Sequence, residues 1–228
     1  MKTPVLVSWS GGKDSALALY RILHDPNWHV VGLLCTISQP YDRITMHGVR
    51  RVLLEQQVAA MNVAPMIPIF LPRDASNEVY EAAWAKALRP FIARGVRHVA
   101  FGDIFLEGIR AYREQQLAKL DMTPVFPIWT GSHRRSDSLA LLDEFWNVGF
   151  RTRIVCVDAR HLGPEWAGRE LTPEAMQELP EAVDPCGEHG EFHTFVFDGP
   201  LFHHPVSHRL GRRVTRRGFH FRDLIPLP

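Results

Sequence analysis

Strand-like and helix-like segments alternate through the first half of the chain, and this alternation constrains the fold more than any other feature. Short apolar runs suited to buried strands begin at Val5, Val30, Met66 and His98. The segments between them carry apolar residues at helical spacing. A βαβα order of this kind predicts an α/β fold with a Rossmann-like parallel sheet and helices on both of its faces.

The two halves of the chain have different patterns. In the first half we predict strands at 5–7, 30–36, 66–71 and 98–101, and helices at 16–23, 49–60, 76–93 and 106–120. Pro68 places the third of these strands near a sheet edge. In the second half we predict helices at 136–148 and from Thr172-Pro173-Glu174, and strands at 151–157, 193–197 and 214–221. These patterns predict two domains, 1–130 and a smaller C-terminal α/β domain, 131–228.

A glycine turn follows the first strand and is the most informative stretch of the sequence. Residues 8–15 read SWSGGKDS and lead directly into the first helix. Gly11 and Gly12 let the backbone turn tightly and approach a ligand closely. The unpaired N–H groups and the positive dipole end of the helix that follows favour phosphate. Because ligands of parallel sheets bind beyond the carboxyl ends of the strands, we expect a phosphate site here.

The glycine turn is not the common P-loop, which needs a glycine where this chain has Val7, and no GxGxxG fingerprint is present. The SGGKDS string at Ser10–Ser15 instead resembles the PP-loop ATP pyrophosphatases, whose signature is SGGxDS. The resemblance implies a Rossmann-like fold of the HUP type. It also implies that ATP is attacked at its α-phosphorus and that pyrophosphate leaves.

The same resemblance assigns roles to the residues of the loop. Asp14 is expected to help place Mg²⁺ and, with Lys13, to take part in catalysis. Backbone near Leu34, at the end of the second strand, is expected to recognise adenine. The residues expected to bind ATP are Ser8, Ser10, Gly11, Gly12, Lys13, Asp14, Ser15, Leu34 and Gly102.

Motifs elsewhere in the chain narrow the choice within this superfamily. They are MHGV at 46–49, FGDI at 101–104, RAYRE at 110–114, DPCGEHGEFHT at 184–194 and DGPLF at 198–202. Together they resemble the diphthine–ammonia ligase family, in a bacterial-type version. Residues 190–194 of this chain read GEFHT, whereas the archaeal and eukaryotic members usually have GEYET. The resemblance implies an acceptor on a modified protein residue, which is on translation elongation factor 2 in diphthamide synthesis, or on a small molecule.

Three acids are expected to serve the ammonia step. Carboxylates pair with ammonium and can accept its proton. Glu188 and Glu191 lie in a glycine-bracketed turn, and Asp103 follows a predicted strand, where ligands of parallel sheets bind. We therefore expect all three to bind ammonium or the acceptor. The alternative for Glu188 is that it caps backbone N–H groups within its own turn.

Composition bounds the remaining choices. The net charge is +1, no stretch reaches the length of a membrane span, and the three cysteines form neither a CxxC pair nor a disulfide framework. A cytoplasmic protein with a structural Cys186 is expected, and its twelve histidines are interpreted as mainly surface residues.

Six arginines after His203 give the C-terminal end a local positive charge. They suit either RNA phosphates or a solvated edge strand kept from pairing by its charge.

We therefore expect an ATP-dependent ligase that adenylylates an acceptor, releases pyrophosphate and transfers ammonia. One alternative is a PP-loop enzyme that modifies RNA, motivated by the arginines near the C-terminus. A second is an ATP-binding module without catalysis.

Overall fold

The computed structural model describes residues 2–227, and these residues form two compact units. The first unit comprises the described residues up to Ser10, together with Asp14–Thr45 and Asn62–Gly131. The second comprises Gly11–Lys13, Met46–Met61 and the described residues from Ser132 onward. The three central residues of the glycine loop thus belong to a different unit from the residues on either side of them.

The elements follow the chain in this order: β1 (Thr3–Ser8), α1 (Lys13–His24), β2 (Trp28–Ser38), β3 (Arg43–Ile44), α2 (Arg51–Met61), β4 (Met66–Leu71), α3 (Asn77–Ile92), β5 (His98–Ala100), α4 (Glu107–Ala118), β6 (Thr123–Val125), α5 (Arg135–Asn147), β7 (Arg151–Asp158), α6 (Pro173–Gln177), β8 (Phe192–Asp198), β9 (His208–Arg216) and β10 (Phe219–Pro226). The four strands predicted in the first half are confirmed as β1, β2, β4 and β5. The short strands β3 and β6 were not predicted.

The sheet of the first unit is parallel apart from β3. β1 lies between β2 and β5, β4 pairs with β2, and β6 pairs with β5. The strand order therefore reverses at β1, which makes the end of β1 a topological switch point, the usual ligand site of such sheets. The Rossmann-like prediction is confirmed, and Pro68 lies on β4, whose pairing partner is β2.

The core of the first unit covers both faces of β1. Val5, Leu6 and Val7 are fully buried. On the Leu6 face, Trp84 of α3 and Leu117 of α4 join one apolar cluster with Phe101. Each such side chain contributes about 1.5–3 kcal/mol by its burial, so β1 is a rigid base for the loop that follows it.

α2 forms where a helix was predicted. Leu54 and Gln57 are buried, whereas Val52 is 41% exposed. The buried positions 53, 54, 57, 60 and 61 recur at helical spacing.

The second unit contains an antiparallel sheet in the order β8-β7-β10-β9, together with α2, α5 and α6. The prediction of a second α/β region with its own strands in the C-terminal half is confirmed, and Thr172 caps α6 as expected. The single strand predicted at 214–221 is wrong, because the chain reverses at Arg217 and Gly218 to form the β9–β10 hairpin. Both residues have a positive φ, which is typical of a type I′ turn. An Arg-Gly pair is not one of the sequences that usually predict such a turn.

Candidate functional site

In the first unit, the two ends of the glycine loop are joined by their serine hydroxyl groups. The Ser15 Oγ lies 3.2 Å from the Ser10 Oγ and 3.4 Å from the Ser10 N–H group. Gly102, at the end of β5, lies so close to this region that a Cβ there would be 2.8–2.9 Å from backbone atoms of Asp14 and Ser15. The predicted ligands Ser10, Asp14, Ser15 and Gly102 are thus brought together beyond the end of β1.

Asp103, the next residue, is held by an arginine. Arg113 Nε donates to Asp103 Oδ2 over 3.4 Å, and Arg113 Nη1 donates to the Tyr80 hydroxyl over 3.2 Å. The guanidinium also lies 4.7 Å from the centre of the Phe101 ring. Burial raises the pKa of Asp103, and the charge and hydrogen bond of Arg113 oppose that rise. Arg113 lies within the RAYRE sequence at 110–114, and no role was predicted for it.

In the second unit, the centre of the glycine loop pairs with β8. The Val196 N–H group donates to the Gly11 carbonyl over 2.8 Å. The Lys13 N–H group donates to Thr194 Oγ1 over 3.0 Å. Gly11 has a φ of +77°, a conformation that favours glycine. The loop is therefore fixed as an added segment alongside β8.

Gln57 completes this attachment from α2. Its side chain is fully buried, and Nε2 donates both to the Gly11 carbonyl over 3.0 Å and to the Val196 carbonyl. A Cβ on Gly11 would lie 2.5 Å from Gln57 Oε1. Gln57 thus acts as a positioning residue, and only a glycine at position 11 leaves room for it.

Lys13 lies inside the second unit and is only 3% exposed. Its ammonium group donates to the Cys186 carbonyl and lies 5.5 Å from the centre of the Phe192 ring. The positive charge of the loop lysine is therefore directed toward the segment that carries the CGEHGE sequence, 186–191.

Two histidines lie beside the same part of the loop. His47 Nδ1 is 2.9 Å from the Thr194 carbonyl, and its ring stacks on His193 with 4.8 Å between centroids. Burial lowers the pKa of His47 to about 4, and burial followed by the nearby His47 and Lys13 lowers that of His193 to about 3. The interpretation of the histidines as mainly surface residues therefore fails for this pair.

The CGEHGE turn is organised by Asp184. Asp184 Oδ2 accepts from the N–H groups of Cys186 and Glu188 over 3.0 and 3.1 Å, and Oδ1 accepts from the Ser138 hydroxyl over 2.7 Å. Glu191 is 2% exposed, and its Oε1 accepts from the Asp184 N–H group over 3.0 Å. Its Oε2 is buried without a hydrogen-bond partner among the described residues. Both predicted acids therefore flank one aspartate, with Glu188 half-buried.

The backbone expected to recognise adenine and the three cysteines are buried. Leu34 is buried, and its carbonyl accepts from the Trp9 N–H group over 2.8 Å. All three cysteines are buried and form no disulfide, and the Cys186 Sγ donates to the Ser138 carbonyl over 3.4 Å. Within residues 2–227, no three or more His, Cys, Asp and Glu side chains are arranged to hold a metal ion.

Sequence reasoning missed the residues that position the loop, namely Gln57, His47, Thr194 and Asp184. The motifs at 46–49 and 184–194 contain His47, Thr194 and Asp184, but the sequence does not show which residues these three contact. Gln57 had no signal beyond its helical spacing from Leu53 and Leu54. Its partners lie 46 and 139 residues away along the chain.

A glycine loop that joins the first strand to the first helix at a topological switch point is typical of α/β nucleotide-binding proteins. The profile of the diphthamide synthase N-terminal domain matches residues 1–122, and that of the diphthamide synthase C-terminal domain matches residues 137–221. The chain belongs to the diphthamide synthase family, within the PP-loop superfamily that its SGGKDS loop indicated.

A diphthine–ammonia ligase of Danio rerio is 35% identical over 112 residues. This match covers 46% of the present chain and 41% of the zebrafish protein, so the chain spans less than half the length of that relative. Among residues 2–227, no helix has the length and apolar character needed to cross a membrane.

Proposed function

We propose that this protein is an ATP-dependent amide-forming ligase. The acceptor is adenylylated with release of pyrophosphate, and ammonia then displaces AMP. We assign ATP binding to residues 1–130 and acceptor binding to residues 131–228. The substrates are ATP, ammonium and an acceptor on a protein residue or a small molecule, and the expected compartment is the cytoplasm.

The observation that carries this proposal is the glycine loop at the switch point of a parallel sheet, in a chain of the diphthamide synthase family. The positive dipole end of α1, together with the Ser10 and Ser15 hydroxyl groups, is suited to hold phosphate oxygens. Family membership favours neither an RNA-modifying enzyme nor a module without catalysis.

Mg²⁺ fits the carboxylate of Asp14. Mg²⁺ in nucleotide sites commonly keeps several waters and binds one or two carboxylates together with substrate phosphates. Asp14 is half-buried at the start of α1, so a single carboxylate with phosphates and waters suffices there. When bound, the ion would neutralise charge on the phosphates.

The acids of the second unit suit the ammonia step. Glu191 offers a buried carboxylate oxygen with no hydrogen-bond donor among the described residues, and such an oxygen is suited to accept from ammonium. Glu188 lies in the turn that Asp184 fixes. We assign Glu188 and Glu191 to ammonium, and Asp103, held by Arg113, to the acceptor.

Product analysis with ATP labelled at the α-phosphate tests the proposal directly. With magnesium, ammonium and candidate acceptors present, we expect labelled AMP together with pyrophosphate. The acceptor that stimulates AMP formation identifies the substrate. Labelled ADP with free phosphate would refute the proposal, because these products arise from attack at the γ-phosphorus.

Glu188→Gln tests the assignment of the acids. This variant should bind ATP as the wild type does and lose ammonia-dependent AMP formation, because the neutral amide no longer pairs with ammonium. Glu181→Gln, an exposed position nearby in sequence, is the matched control. Unchanged turnover in Glu188→Gln would remove Glu188 from the mechanism.

A further inference from the structure

The turn that carries His47 has an unusual backbone conformation on both sides of this residue. Met46 has a φ of +65° and Gly48 a φ of +70°. The left-handed conformation is uncommon for methionine, and such conformations cluster at functional sites. Gly48 lies against Phe221, where a Cβ would come within 2.8 Å of the ring. The backbone therefore holds His47 in a defined place rather than leaving it as a surface side chain.

That place is the backbone of the glycine loop. A Cβ on Gly12 would lie 2.8 Å from His47 Cε1 and 3.2 Å from the Thr194 carbonyl oxygen. Thr194 also accepts the Lys13 N–H group through its hydroxyl. The His47 ring thus lies directly on Gly12, one of the loop residues expected to bind ATP.

The hydrogen bond to Thr194 fixes the tautomer of His47. A carbonyl oxygen can only accept, so Nδ1 carries the proton of the neutral ring and Nε2 carries the lone pair. His47 Nε2 has no hydrogen-bond partner among the described residues. Its neighbour His193 has a buried Nε2 that also lacks one. The stacked pair therefore presents unused nitrogen atoms next to the loop.

Burial is the main reason why both rings are neutral, and the nearby positive charge adds to its effect. Lys13, at the start of α1, is the cation that acts on both of them, and its ammonium group is directed to the Cys186 carbonyl. Arg50, the residue before α2, forms an ion pair with Asp223 of β10 over 2.7 Å. Glu191 precedes β8, which carries His193. Burial and Lys13 lower both histidine pKa values, and an arriving anion would act in the opposite direction.

We propose that the His47–His193 pair takes up one proton when the phosphates of ATP bind at the glycine loop, and that the imidazolium then faces the anion. This inference rests on the proposed function and names a further residue pair for its phosphate site. The proton comes from solvent, adds to a ring nitrogen and returns to solvent when the phosphates leave. The stacked rings take up one proton rather than two, because two cations 4.8 Å apart would repel each other.

Calorimetric titration tests the proposal with magnesium pyrophosphate and with magnesium ATP as probes. Buffers with different ionisation enthalpies report proton uptake on binding. We expect the wild type to take up about half to one proton at neutral pH, and its affinity to fall by up to about tenfold per pH unit as the pH rises. In the His47→Gln, His193→Gln double variant, proton uptake should be lost and affinity should no longer fall as the pH rises. His29→Gln, at an exposed position on β2, should behave as the wild type.

A second measurement uses the unmodified protein, so it does not depend on the folding of a variant. NMR of the imidazole nitrogens should show His47 as the neutral Nδ1–H tautomer in the free protein. Adding magnesium pyrophosphate should convert His47 or His193 to the imidazolium form. Rings that stay neutral in the complex would overturn the proposal.

The outcomes separate the two proposals. Phosphate binding without proton uptake, or uptake that persists in the His47→Gln, His193→Gln double variant, overturns the role of the pair and leaves the ligase proposal intact. A wild type that binds neither pyrophosphate nor ATP overturns the nucleotide site itself, and the role of the pair with it.

Discussion

Asp103 in the first unit and His193 in the second are both shielded from solvent, and the two units treat them differently. Asp103 is paired with Arg113, which also contacts Tyr80 and Phe101. His193 has a stacked neutral ring and a cation as neighbours, and its Nε2 has no hydrogen-bond partner. One unit thus stabilises a charge by pairing it, and the other keeps its titratable group neutral.

This difference indicates which of the two sites can change its charge when a ligand binds. A carboxylate that already has a cation gains little when a second cation arrives. A neutral imidazole pair beside a loop that binds anions responds strongly, because protonation is the change that an anion favours. The second unit is therefore the part of the molecule where we expect proton-coupled binding.

The largest expected effect comes from Gly12→Ala. The new methyl group would meet His47 and the Thr194 carbonyl, both of which are held in place. We expect ATP affinity to fall about a hundredfold and unfolding free energy to fall by about 1–3 kcal/mol, measured by calorimetry and by denaturant titration. Gly108→Ala is the control, because a methyl group there meets no atom within 4 Å. Wild-type affinity in Gly12→Ala would show that His47 does not lie on the loop.

Acid should destabilise the second unit through its histidines. The pKa of His47 falls from 6.5 to about 4 on folding, so the unfolded chain binds more protons between these values. Stability therefore falls as the pH falls through this window, by on the order of 3 kcal/mol for one fully neutral histidine. Denaturant titrations across this range should show a flatter profile in the His47→Gln, His193→Gln double variant. An equally steep profile would contradict the neutral pair.

Removing the cation of the first unit should have a smaller effect. Arg113→Met leaves Asp103 unpaired while it remains mostly buried, and we expect a loss of about 2 kcal/mol in unfolding free energy. Adding Asp103→Asn should recover part of this loss, since the uncompensated charge is then absent. Glu55→Gln, which breaks the exposed pair with Arg51, should change stability by less than about 0.5 kcal/mol. Additive effects at Arg113 and Asp103 would mean that the two side chains are not coupled.

The smallest effect is expected at the edge of the second sheet. Arg209, Arg212 and Arg213 are exposed on β9, which pairs with β10 in the described sheet. Arg213→Gln should leave the melting temperature and ATP affinity within experimental error, with at most about 0.5 kcal/mol lost. A large loss of stability would show that β9 is more than a charged edge strand.

The sequence predicted the first unit well because its information is local. Strands buried on both faces appear as short apolar runs, as at Val5 to Val7, and a glycine loop before a helix is a contiguous signal. It missed β6, which is only three residues long, and merged β9 with β10, because the Arg217-Gly218 pair is not a usual hairpin-turn sequence.

The site was only partly predictable for the same reason. The residues proposed to touch phosphate form one hexapeptide, and the acids proposed for ammonia lie within one motif. The residues that hold them act over long separations along the chain: Gln57 reaches Val196, and His47 reaches Thr194. A helical pattern shows that position 57 faces inward only after the register of α2 is known. No single-chain pattern reports that a loop carbonyl needs an amide donor.

The attachment of Gly11–Lys13 to β8 has a practical consequence for anyone who dissects this protein. A fragment cut after residue 130 would retain the full SGGKDS signature but lose Thr194, Val196 and the Cys186 carbonyl, which hold its middle. Such a fragment would contain the motif but not the residues that hold the loop in its conformation. Grafting the hexapeptide onto another protein would therefore require β8 as well. The signature identifies the loop in a sequence, but it does not identify the strand that holds the loop in place.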